Sequence, residues 1–141
     1  MDADHCIFCR IAAGSVPSRR VFETPHAVAF LDVAPLADGH TLLIPKRHYV
    51  TIDDMTTEHF GEVLHDLPRL AMAILRTTGA EGYNLLQNNG RVAGQVVEHV
   101  HFHIIPRFAN DGLGYRWNAK SYAEGRADDL QKRIESALAI G

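Results

Sequence analysis

Apolar and polar positions divide this chain into short strands and three helical stretches. Residues 20–23, 27–33 (AVAFLDV), 41–45 (TLLIP), 83–87 (YNLLQ) and 98–105 carry β-branched and aliphatic runs bounded by turn residues, and each reads as a strand. Thr24-Pro25-His26 supplies a turn between the first two, and APLADGH a loop before the third. Residues 6–13 (CIFCRIAA) read as a short helix that ends at Gly14. Across residues 57–77, apolar groups recur at Phe60, Val63, Leu64, Leu67, Leu70, Ala71 and Ile74, with Thr56 or Thr57 as N-cap. Pro68 lies inside that pattern and must kink or split the helix, because it lacks the N–H that the helix ladder needs. A last helix is expected from about Ser121 to Leu138. Strands outnumber helices and do not alternate with them, so the expected class is α+β, with a mainly antiparallel sheet.

Composition narrows the class of protein. The chain has 141 residues, 46% of them hydrophobic and 22% charged, which suits one globular domain. A net charge of −3 without long runs of one sign gives no support for a nucleic-acid or membrane-surface partner. No window approaches a membrane span, and the N-terminal MDADHCIFC lacks a signal-peptide apolar run. A cytoplasmic location is expected. Only Cys6 and Cys9 occur, and in a reducing compartment such a C-x-x-C pair is more often metal-binding or redox-active than a structural disulfide.

The candidate chemistry sits in EHVHFHIIPRF, residues 98–108, where His99, His101 and His103 alternate. In a strand these would line one face over roughly 13 Å, with Val100, Phe102 and Ile104 turned to the core. An ordinary solvent-facing strand draws on Thr, Lys, Glu or Ser rather than three imidazoles in a row. Two chemical readings stay open: a catalytic metal bound by the row, or one neutral imidazole attacking an electrophile. The preceding NNGRVAGQ holds glycines and neutral amides, which suit a phosphate. Carboxylates to orient metal-bound histidines are scarce, Glu98 and Asp32 being the obvious ones.

The stretch from Asn88 to Arg107, N-x-G-x-x-A-G-Q-x-V-x-H-x-H-x-H followed by Ile-Ile-Pro-Arg, resembles the signature of the histidine triad (HIT) family. The segments IFCRIAAGSVPSRRVFET and AVAFLDVAPLADGHTLLIPKRH fit as well, so the resemblance runs from about residue 5 to 108 of a single domain spanning 1–141, with 109–141 as a C-terminal extension. It implies a HIT-like fold: a five-stranded, mainly antiparallel sheet, a long helix and a shorter N-terminal helix, with the sheet extended across a homodimer. It also implies binding of a purine nucleotide of AMP or GMP type. The implied reaction is hydrolysis of nucleoside phosphoramidates or dinucleoside polyphosphates at the α-phosphorus through a nucleotidyl-histidine, with no organic cofactor.

By that resemblance His101 is the nucleophile, His103 contacts the phosphate or scissile oxygen, Gln95 lies near the leaving group, and His40 supports the triad. Asn88 falls at a ribose- and phosphate-contacting position, and Asp32 would accept from the ribose hydroxyls. Ile7, Phe8, Ile11, Phe30 and Val33 would enclose the base, although the first four, read without the resemblance, are more often plain core. Family members with an N-terminal C-x-x-C often carry zinc, which implies a ligand set of Cys6, Cys9, His48 and His99. Two cysteines and two histidines close a tetrahedral shell, so that zinc would be structural. It would pin the helix bearing Ile7 and Phe8 against the sheet.

Three positions qualify the resemblance. Val96 stands where the family usually has a phosphate-touching Ser or Thr, leaving only a backbone N–H there. That departure favours an alternative, a zinc-stabilised nucleotide-binding module with little catalysis. His103 stands where the family's uridylyltransferases carry Gln, which favours a hydrolase over a nucleotidyltransferase or phosphorylase. Trp117 sits in a loop before the last helix rather than near the terminus. Lys46, Arg47 and Arg107 read as solvated, as do His26, His59 and His65.

Overall fold

The computed structural model describes residues 3–114 and 119–140; Trp117 lies outside them. The strands are β1 (Arg20–Glu23), β2 (Ala27–Leu31), β3 (Thr41–Pro45), β4 (Gly82–Gln87) and β5 (Phe102–Arg107). They form one five-stranded sheet in the order β1-β2-β3-β5-β4, antiparallel at every pairing. The helices are α1 (Ile7–Ala12), α2 (Thr57–Leu64), α3 (Leu67–Thr78) and α4 (Arg126–Ile140).

β2 and β3 are buried along their whole length, which is why they read as unbroken apolar runs. Ala27, Ala29, Leu31 and Leu43 join Leu70, Ile74, Leu130 and Ile134 in the main core, beneath α3 and α4. The alternate residues Val28, Phe30, Leu42 and Ile44 pack on the opposite face with Cys6, Phe8 and Ile11 of the N-terminal segment. α1 therefore covers the face of the sheet that the other helices leave open.

Pro68 splits the expected long helix in two. It sits in the first turn of α3, where the missing N–H costs nothing, and Gly79 closes that helix at φ 71°. Ala71 and Ile74 belong to the core, and Leu64 and Leu67 pack against it. The last helix begins at Arg126 rather than Ser121, because Tyr122 is used instead to hold the Gly39 N–H with its hydroxyl, 3.1 Å away.

The expected strand over 98–105 is the main local difference. β5 starts only at Phe102, and the backbone folds at His99, whose N–H donates to the Val97 carbonyl at 2.9 Å. The Val100 N–H then bonds to the Tyr49 carbonyl at 2.8 Å rather than to a neighbouring strand. Val100, Phe102 and Ile104 still enter the core, as the alternation requires. Among the described residues no helix is long and apolar enough to cross a membrane.

Candidate functional site

His101 and His103 open into a cavity of about 830 Å³ between α1, the ends of β2 and β3, and the loop from Asn88 to Val97. Ile7, Phe8, Ile11, Phe30, Asp32, Val33, Asn88 and Val96 line it, which brings together all but one of the nucleotide-contacting residues expected from sequence. Its walls are apolar at the α1 end and carry histidine, asparagine and backbone at the other. Among the lining residues the only acidic or basic side chain beyond the histidines is Asp32.

His101 is buried, and its Nδ1 lies 2.7 Å from the His99 carbonyl. A carbonyl only accepts, so the proton sits on Nδ1 and the lone pair on Nε2. Burial lowers the His101 pKa below its ordinary 6.5, which keeps that lone pair available at neutral pH. Phe8 meets the ring edge-on at 5.1 Å between centroids, fixing its plane.

A second relay orients His103. The Leu36 N–H donates to His40 Nδ1 at 3.0 Å, so the proton of neutral His40 resides on Nε2. That atom lies 2.9 Å from His103 Nδ1 and 3.6 Å from Asp32 Oδ2. His103 thus accepts on Nδ1 and carries its own proton on Nε2. Both rings are neutral, because burial holds His40 down to about 4, and burial with the neighbouring His101 and His40 holds His103 down to about 3. The pair therefore presents a bare nitrogen on His101 beside an N–H on His103, with ring centroids 4.9 Å apart.

Asp32 does two things. One oxygen accepts the Ala34 N–H at 2.9 Å, the ordinary work of a turn aspartate, and the other faces His40. Desolvation raises its pKa. Gln95 is the expected site residue that the structure does not bring to the cavity wall. Its Oε1 accepts the Gly90 N–H at 2.6 Å and its Nε2 donates to the Val50 and Val97 carbonyls at 2.7 and 3.0 Å. With its amide spent in this way, Gln95 braces the loop. Gly90 and Gly94, at φ 90° and 96°, let that loop turn back on itself in a backbone conformation that residues with a Cβ rarely adopt.

Sequence reading missed Val16, Pro17, Ser18, Leu42 and Val97, which also line the cavity. Ser18 Oγ is buried without a protein partner, a hydroxyl available to a ligand. Lys46 and Arg47 do not line it: Lys46 pairs with Glu23 at 2.7 Å, and Arg47 lies over the Tyr49 ring. Val96 is 88% exposed at the mouth of the cavity.

Behind the cavity, Cys6, Cys9, His48 and His99 each offer a ligand atom within 4.8 Å of the others. His99 Nδ1 lies 3.4 Å from both sulfurs and 3.2 Å from His48 Nδ1. The other His99 nitrogen donates to the Pro45 carbonyl at 2.8 Å, which leaves Nδ1 bare and aimed at the group. Two thiols and two imidazole nitrogens converging on one point, one imidazole fixed from behind by a carbonyl, is the donor chemistry of a tetrahedral zinc ion.

Comparison with known proteins agrees with this geometry. The HIT domain family model matches residues 13–110, so Cys6 and Cys9 lie just outside the matched stretch. The chain is 44% identical over 139 residues to Protein hit of Bacillus subtilis, covering 97% of this chain and 94% of that one. It is 40% identical over 134 residues to the adenosine 5'-monophosphoramidase of Schizosaccharomyces pombe, covering 94% and 98%. A zinc-bound histidine triad protein from Mycobacterium smegmatis superposes with a TM-score of 0.85 at 32% identity, covering 99% and 96% of the two chains.

Proposed function

Since the chain belongs to the HIT family, we propose that it is a nucleotide hydrolase that cleaves nucleoside phosphoramidates or dinucleoside polyphosphates at the α-phosphorus. The observation that carries this is the tautomer of His101, whose Nδ1–H is held by the His99 carbonyl so that bare Nε2 serves the cavity. Relatives named as adenosine 5'-monophosphoramidases support the substrate class.

The purine base lies among Ile7, Phe8, Ile11, Phe30 and Val33, and Asp32 accepts from the ribose hydroxyls. Asn88 contacts the ribose and phosphate. His101 Nε2 attacks the α-phosphorus, a nitrogen–phosphorus bond forms as the bond to the leaving group breaks, the leaving group takes a proton from solvent, which the later attack of water gives back, and His103 Nε2–H donates to a phosphate oxygen. Water then attacks the same phosphorus and returns His101 to its starting state. No other charged group is needed, because a neutral nucleophile brings no extra repulsion to the phosphate. His40 acts through His103, and Gln95 acts through the loop it braces.

Cys6, Cys9, His48 and His99 would hold one zinc ion with all four positions filled, so it contributes folding energy and not reaction chemistry. His99 thereby ties the metal to the carbonyl that orients His101. The exposed Tyr83 and Leu85 on edge strand β4, with Met72 of α3, support a homodimer joined along that edge. The chain is read as one domain acting in the cytoplasm.

The test is to mix the protein with an adenosine phosphoramidate, quench early, and seek a nucleotidyl adduct by peptide mass spectrometry. An adduct on His101 is expected; turnover with no adduct there rejects the mechanism. Exposed Val96, in the place of a hydroxyl, favours a second reading as a binding module. Tight nucleotide binding with no release of amine or nucleotide product would select it.

A further inference from the structure

Away from the nucleotide cavity, two histidines that read as solvated in the sequence, His26 and His59, meet each other and Glu62. His26 lies in the turn between β1 and β2, and His59 and Glu62 lie one helical turn apart on α2. His26 Nδ1 is 3.3 Å from Glu62 Oε2, and the two imidazole rings are 5.7 Å apart between centroids. A ligand atom from each of the three falls within 4.8 Å of the other two. They line a cavity of about 380 Å³ that shares no residue with the nucleotide cavity.

We propose that His26, His59 and Glu62 form a second metal site, one that takes a divalent transition ion such as zinc, nickel or copper and keeps a coordination position open. Two imidazoles and a carboxylate are three ligands, one short of a tetrahedral shell, so the fourth place is left for water or an anion. The backbone is already held in position. The Thr24 hydroxyl accepts from the His26 and Ala27 N–H groups at 3.1 and 3.0 Å, the His26 carbonyl accepts from the Lys46 N–H at 3.0 Å, and Thr56 caps the His59 N–H at 3.1 Å. Tyr49 Oη lies 2.7 Å from His59 Nδ1, the kind of outer partner that fixes the tautomer of a metal-bound imidazole.

Charge does not oppose an ion here. Glu58 and Glu62 line the cavity together with Lys46 and Arg47; Lys46 is paired with Glu23 at 2.7 Å, and the Arg47 guanidinium lies over the Tyr49 ring. The segment between β3 and α2 serves both metal groups: His48 turns to Cys6 and Cys9, while Tyr49 turns to His59.

The test is a cobalt(II) titration of the metal-free full chain, followed by visible spectroscopy, beside equilibrium dialysis against micromolar zinc with metal counted per chain. Thiolate charge transfer reads the Cys6–Cys9 site alone, so the two sites are scored separately. The expected result is a second ion that adds d–d absorption without thiolate charge transfer. In His26→Ala/His59→Ala that ion is lost, and in Glu62→Gln it binds at least tenfold more weakly, with thermal melting of the metal-free variants unchanged. Absence of any non-thiolate ion in the wild type, or its persistence in the double variant, overturns the proposal.

Discussion

His40 Nε2 sits 2.9 Å from His103 Nδ1, and the other His40 nitrogen receives the Leu36 N–H at 3.0 Å. A main-chain amide thus decides where His103 carries its proton, two imidazoles away. His40→Ala should remove the donor and leave His103 Nδ1 buried without it, which costs about 1–3 kcal/mol of stability. His103 would then sample the wrong tautomer, and kcat should fall roughly tenfold or more. His40→Gln keeps an N–H donor and should recover part of kcat; equal loss in both variants would reject the relay.

The same pair predicts how stability depends on pH. In the folded chain His40 titrates near 4 and His103 near 3, against an ordinary 6.5. Below pH 6.5 the unfolded chain binds protons that the folded chain refuses, so stability is complete above 6.5 and declines as pH falls toward 4. Urea midpoints at a series of pH values would show this decline. A flat profile between 6.5 and 4 would count against neutral, buried imidazoles at these two positions.

His101→Ala should reduce turnover by roughly a thousandfold or more while nucleotide binding persists, because the cavity wall is otherwise intact. Calorimetry with AMP beside a phosphoramidate assay separates the two effects. Full activity in the variant would rule out nucleophilic catalysis by this residue.

Asp32→Asn retains an oxygen for the Ala34 N–H, so the turn should survive. A charge-assisted bond to ribose is worth about 1.5–3 kcal/mol, and its loss should raise KM roughly tenfold to a hundredfold with kcat nearly unchanged. A 2'-deoxy,3'-deoxy substrate should show little further difference between wild type and variant.

Removal of metal by a chelator should lower the melting temperature before it lowers the chemical rate, since the Cys6, Cys9, His48 and His99 group leaves no open position for substrate. Rate loss that precedes any change in melting would place the metal in the reaction instead.

Much of the fold is legible because its signals are local. β1 and β3 start and stop where turn residues dictate, and Pro68 divides α2 from α3 for the reason its ring predicts. The three histidines signal chemistry by their spacing alone. Gln95 shows the limit: an amide in a phosphate-suited loop reads as a ligand contact, yet its three polar contacts all go to backbone of residues 50, 90 and 97. His26 and His59, 33 positions apart in the chain, show it again, since no periodic pattern joins a turn to a helix.

By itself, the sequence determined the α+β class, the buried central strands and the histidine-bearing segment, because apolar periodicity and turn chemistry act over a few residues. Only the tertiary structure decided how the three histidines divide their work. Strict alternation would place them on one face, but the backbone folds at His99 and β5 begins after His101. That fold sends the His99 ring to Cys6, Cys9 and His48 and leaves its carbonyl to orient His101. The partners responsible, Pro45, His40 and Leu36, are distant in sequence, and hydrogen bonds between distant residues are specified only when the chain has packed.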